Sequence, residues 1–168
     1  MPDPDRAARA VAQWRREIPE MDVTAMEVIG RLNEICALIG RDHLEPLFAG
    51  FGLQRGEFDV LATLRRAGAP FTLTPTDLSE AAMMTSGGMT ARLDRLEKRG
   101  LIARSPNPED RRGSLVSLTV DGRALVESAV RPHAANETRL LSVLTIEEQD
   151  QLNRLLLKLR AGLPGPAA

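Results

Sequence analysis

The 168 residues predict a mainly α protein with one small β-hairpin, on three observations. Apolar residues recur every three or four positions through most of the chain. Two short helical patterns meet across a few residues near its middle, and one pair of strand-like runs flanks a charged turn. The length suits a single folding unit rather than two independent cores. With 43% hydrophobic and 27% charged residues and a net charge of −1, neither disorder nor a polybasic tail is indicated. Four phenylalanines, one tryptophan and no tyrosine argue against stacking of single-stranded bases. No run approaches the roughly 18 apolar residues of a membrane span. The opening Met-Pro-Asp-Pro-Asp lacks a secretory pattern, so no membrane partner and a cytoplasmic location are expected.

The first helix is expected from Asp5 to Glu17, with a weak stripe of Ala8, Val11, Ala12 and Trp14 before Pro19. A longer one should span Asp22 to Arg41, where Val23, Met26, Ile29, Leu32, Ile35, Cys36 and Ile39 recur helically, and continue unevenly to Pro46. Glycines 50, 52 and 56 predict a loop, and Phe58, Leu61 and Leu64 a third helix closed by Gly68 and Pro70. Phe71 to Thr74 reads as a short extended piece. Thr74, Pro75 and Asp77 then open a short helix by capping chemistry. After Thr85-Ser-Gly-Gly comes a helix with Met89, Leu93 and Leu96 on one face, ended by Gly100. Leu101 to Ser105 and Ser114 to Thr119 read as the hairpin. A helix from Asp121 to Leu144, bent at Pro132, precedes a last helix through Leu159 that Thr145 and Glu148 cap.

Two short helices followed by a hairpin form a winged helix-turn-helix, which sets one helix into the major groove of duplex DNA and a wing along the backbone or minor groove. Between Ser86 and Arg112 the net charge is +3, leaving −4 for the remainder, so cations concentrate where phosphates would lie. Met89, Leu93 and Leu96 define the buried side of the second helix. That leaves Ser86, Thr90 and Arg95 to face outward as DNA contacts, together with Thr74 and Thr76 at the start of the preceding helix. A lone Cys36 on an apolar stretch is expected to be buried and inert. His43 and His133 are expected on helix surfaces; neither a metal nor a cofactor is expected. No phosphate-cradling glycine motif, nucleophile elbow or catalytic dyad is present, so no enzymatic activity is expected.

The run Asp110-Arg-Arg-Gly-Ser-Leu-Val-Ser-Leu-Thr119 matches every fixed position of the D-x-R-x-x-x-V-x-L-T signature. With Met89 to Arg104 it resembles the MarR family of bacterial transcription regulators, and the resemblance extends over most of the chain. It implies a single homodimeric domain over residues 1–168. Residues 5–49 would form an extension and dimerisation helix, 54–119 the DNA-binding lobe, and 121–161 further dimerisation helices. It also implies a pseudo-palindromic operator, an Asp110–Arg112 pair holding the wing, and DNA contact by Arg111 or Arg112, an arginine suited to a narrow minor groove. Long amphipathic helices at both ends independently suit pairing across a two-fold axis.

The leading helix resembles the extension of the urate-responsive subgroup of that family. The resemblance carries over Trp14, Asp59, Arg92 and Arg104 as ligand-binding residues. Urate or a related purine is flat and anionic: an indole packs on its face, arginine meets its charge, and a carboxylate accepts its N–H. On the helical wheel Arg92 turns inward more than Arg95, so it could couple the pocket to DNA. The expected function is a repressor released from its operator by such a ligand. A phenolic or other aromatic acid, oxidation at Cys36, or a winged-helix protein-interaction module are the alternatives.

Overall fold

The computed structural model describes residues 5–82, 88–108, 110 and 113–163. Its helices are α1 (Arg6–Glu17), α2 (Thr24–Leu38), α3 (Glu45–Ala49), α4 (Arg55–Arg66), α5 (Pro75–Ala81), α6 (Met89–Lys98), α7 (Val120–Leu141) and α8 (Ile146–Ala161). The strands are β1 (Thr72–Leu73), β2 (Ile102–Pro106) and β3 (Ser114–Leu118).

The core gathers on α4. Phe58, Val60, Leu61 and Leu64 are buried there against Leu78 of α5, Leu96 of α6, Val116 of β3 and Val126 of α7. Each such side chain contributes about 1.5–3 kcal/mol. Phe48 of α3 stacks on Phe58 at 4.2 Å, and the His133 ring of α7 meets Phe58 edge-on at 4.9 Å, so three helices share one aromatic cluster. His133 is therefore not the surface residue expected. Its side chain is 19% exposed, its Nδ1 is buried without a hydrogen-bond partner among the described residues, and its Nε2 lies 3.3 Å from Glu137. His43 is half-buried, and its carbonyl accepts from Asn136 at 3.3 Å.

The helix starts follow the capping residues: Asp5, Thr74, Thr119 and Thr145 each accept a backbone N–H at the head of α1, α5, α7 and α8. Three boundaries differ from expectation. Gly56 lies inside α4, because a Gln54–Glu57 capping box starts the helix at Arg55. The segment after α2 continues as a π-helical turn, Ile39–Leu44, before α3. Finally, α7 runs unbroken through Pro132 but stops at Leu141.

The hairpin gains a third member. β3 pairs antiparallel with β2 (Ile102 opposite Leu118) and with β1 (Thr72 opposite Ser117, their hydroxyls 2.7 Å apart), in the order β1-β3-β2. β1 lies within the extended piece expected from Phe71 to Thr74, and what the sequence does not show is its pairing with β3. Ahead of it Phe71 sits at φ 61°, beneath the guanidiniums of Arg65 and Arg123 at 5.0 and 4.8 Å. Both arginines also bind Glu127, which ties α4 and α7 to the wing and holds that carboxyl below its ordinary range.

α2 and α8 bury no residue within the protomer. Their apolar stripes stand in the open, with Ile29 at 49%, Ile35 at 51% and Leu155 at 57% exposure. Cys36 lies on this exposed helix, contrary to the expected burial, because the stripe it belongs to has no partner inside one chain. α1 packs on α2, where Ala7 meets Gly30 so closely that a β-carbon on Gly30 would come within 3.1 Å, and Arg31–Asp5 (2.7 Å) and Arg6–Glu34 (3.5 Å) flank the contact. Among the described residues no helix is long and apolar enough to cross a membrane.

Candidate functional site

α6 begins at Gly88, whose φ of 80° favours glycine, and presents three sides. Met89, Leu93 and Leu96 are buried. Arg92, Arg95 and Arg99, within about 60° of one another at 3.6 residues per turn, form a basic flank toward α4. Asp94 and Glu97 form an acidic flank toward the wing. On the acidic side Arg104 of β2 binds Asp94 at 2.7 Å and Glu97 at 3.4 Å, fixing wing to helix. On the basic side Glu57 of α4 takes Arg95 Nε at 3.0 Å and Arg99 Nη1 at 3.3 Å.

Arg95 was expected to face outward. It is exposed, with 45% of the side chain open, and its guanidinium also reaches Glu57 and the Gln54 side-chain oxygen at 3.2 Å. Glu57 was missed in the sequence. Its place in register with Leu61 and Leu64 puts a carboxylate on the buried stripe of α4, and Arg95 and Arg99, four residues apart, are the matching cations.

Arg92 is half-buried and crosses Gly56 so closely that a β-carbon there would strike its guanidinium. Arg55 lies over Gly40 in the same manner, 3.1 Å from where a β-carbon would stand. Arg92 and Arg55 act electrostatically on Asp59, as do His133 and Arg66. Burial nevertheless outweighs all four and holds the Asp59 carboxyl above its ordinary 3.8. Two glycines thus seat two arginines around one half-buried carboxylate.

A raised pKa means that folding penalises the ionised form. The penalty is absent below pH 3.8 and grows as pH rises through the folded value. Asp59→Asn is therefore expected to raise the melting temperature at neutral pH, by on the order of a degree or two. The gain should vanish near pH 3.5 in thermal melts across a pH series. A lower melting temperature at pH 7 would contradict this balance.

The structure brings Asp59 and Arg92 together and leaves the other two predicted ligand residues apart. Trp14 lies in the last turn of α1, 45% exposed. Arg104 is committed to the flank of α6 opposite Arg92. Among the predicted DNA contacts, Thr90 and Thr76 are exposed at the starts of α6 and α5. Thr74 is occupied as a cap, accepting from Asp77 N at 3.1 Å and donating to its carboxylate at 2.8 Å. Ser86, Arg111 and Arg112 lie outside the described residues, and with Arg112 the wing pair of Asp110. Asp110 itself packs against Gly113, whose N–H donates to its carbonyl at 2.9 Å. Among the described residues no group of three His, Cys, Asp or Glu could hold a metal ion.

A helix-turn-helix braced to a three-stranded wing defines a winged helix-turn-helix DNA-binding protein. The chain belongs to the MarR family of transcriptional regulators: residues 51–113 match the family's sequence profile. It is 43% identical to the HTH-type transcriptional regulator PecS of Dickeya dadantii over 146 residues, 87% of each chain. With the multiple antibiotic resistance protein MarR of Salmonella typhimurium it shares 40% identity over 119 residues, 70% of this chain and 78% of that one. The fold is similar to that of a mutant MarR from E. coli complexed with operator DNA, with TM-score 0.70 and 30% identity over 90% of this chain and 98% of that one. It also resembles Bordetella bronchiseptica BpsR, whose structure addresses regulation of DNA binding by 6-hydroxynicotinic acid, with TM-score 0.64 and 29% identity over 79% and 98%.

Proposed function

We propose that this regulator is a homodimeric repressor that leaves a pseudo-palindromic operator when urate or a related anionic purine binds near Asp59. The observation that carries the reading is the position of Arg92. It belongs to the helix that enters the groove, yet its guanidinium lies over Gly56 of α4 within the field of Asp59. A flat anion bearing ring N–H groups competes for it on both counts, offering negative charge to Arg92 and Arg55 and donors to the carboxylate. Arg92 then leaves its seat and α6 moves with it. Such a ligand acts only through tighter binding to the state that DNA does not favour.

DNA contacts are assigned to Thr76, Ser86 and Thr90 in the major groove, with Thr74 shaping the helix start, and to Arg111 and Arg112 at the wing, where Asp110 pairs with Arg112. Arg95, the other contact expected on this helix, is exposed beside them and engaged by Glu57 and Gln54. A second copy is the natural cover for the apolar faces of α2 and α8, and it would also bury Cys36. Trp14 and Arg104 complete the ligand site only if α1 and the wing approach it across that dimer or on ligand binding.

The test is fluorescence anisotropy of a labelled duplex selected from a random pool, with urate titrated in. Specific binding that urate reverses supports the reading, whereas binding indifferent to urate removes the effector. The likeness to BpsR favours, as second reading, a heteroaromatic acid such as 6-hydroxynicotinate. Release by that acid and not by urate selects it.

A further inference from the structure

We propose that Glu57 determines DNA specificity by keeping Arg95 and Arg99 off the phosphates. The proposal rests on α6 being the helix that enters the groove. Glu57 is 3% exposed, yet its oxygens serve three donors: Arg95 Nε at 3.0 Å, Arg99 Nη1 at 3.3 Å and the Gln54 N–H at 3.0 Å. The helix cap needs only the last of these. A carboxylate taken out of water this far requires compensating charge, and the two guanidiniums supply it.

The consequence for DNA follows from the helix faces. Arg92 lies over Gly56 beside Asp59, Arg95 and Arg99 are held by Glu57, and Arg104 is held by Asp94 and Glu97. Of the exposed positions on α6, Thr90, Ala91 and Lys98 are the ones with no acidic side-chain partner among the described residues, while Arg95 and Arg99 stay 45% and 38% exposed beside Glu57. A guanidinium engaged by a carboxylate releases no phosphate counterion, so it adds nothing to sequence-independent affinity. Base contacts and the wing then carry a larger share of binding, and the ratio of specific to random binding rises.

Glu57→Gln tests this, because the amide keeps the size and the acceptor for Gln54 N–H but drops the charge. Wild type and variant are titrated with a random-sequence duplex and with the selected operator across a sodium chloride series. The variant is expected to bind random duplex more tightly, with a slope of log K against log salt steeper by about 0.9 for each phosphate newly contacted. Operator affinity should rise less, so the specificity ratio falls. Adding Arg95→Gln should take one such increment away. A folded Glu57→Gln protein with wild-type slope and random-duplex affinity overturns the proposal.

If Glu57→Gln does not fold, Arg95→Gln in the otherwise wild-type chain decides. An unchanged slope supports sequestration, and a loss of about 0.9 shows a phosphate contact and overturns it. Wild type that binds no duplex at low salt removes the DNA reading and this inference together, whereas duplex binding with an insensitive slope removes the inference alone.

Discussion

Phe48→Ala is expected to cost about 3–5 kcal/mol of folding stability, near the upper end for one substitution. Phe48 is 1% exposed and stacks on Phe58 at 4.2 Å with an interplanar angle of 19°. Its removal opens a void bounded by Phe58 and His133, ring partners fixed on two other helices, so the cavity cannot close by a local shift. In a chain of this size the loss corresponds to a fall of about 10 °C in melting temperature, at roughly 2–4 °C per kcal/mol. Urea denaturation of wild type and variant measures it, and a loss under about 1 kcal/mol would place Phe48 outside the core.

Arg92→Ala is expected to abolish effector response while the protein still folds. In the wild type, a ligand that competes for Arg92 should weaken operator binding by about 5- to 150-fold, the usual range of coupling between two sites. Without the guanidinium there is nothing for the anion to draw away from Gly56, and the ratio of operator affinities with and without urate should approach one. Arg92 is only half-buried, and Arg55, which also acts on Asp59, remains in the variant. Parallel anisotropy titrations of both proteins give the ratio directly. A variant that keeps the wild-type ratio would assign the coupling to some other residue.

Much of the architecture was legible because its determinants are local. Thr74 and Thr145 cap helices at the positions their spacing implied, and the stripe of Met89, Leu93 and Leu96 is the buried side of α6. What could not be read depends on contacts distant in sequence. The extended piece that holds β1 was legible, but its pairing with a strand more than forty positions away was not. His133 looked like a helix-surface residue until Phe48 and Phe58 were brought against it. The periodicity of α2 was correct but implied burial that one chain does not provide, so Cys36 stands exposed.

The site shows the same division. Arg92 could be placed inward from the helical wheel, because its neighbours on α6 define that direction. The engagement of Arg95 could not, since its partner is Glu57, 38 positions earlier. A charged residue in register with Leu61 and Leu64 was the available signal. The seat at Gly56 was hidden for a related reason: that glycine reads as a loop until the arginine that needs its missing side chain is known.

Mutual exclusion between a small anion and the operator through one guanidinium is, by linkage, measurable from the ligand's side. Urate binding should be titrated by calorimetry against the free protein and against protein saturated with its selected operator duplex. Urate should bind the complex more weakly, by the same factor as that by which it weakens operator binding. Equal urate affinity for free and DNA-bound protein would contradict the coupling at Arg92.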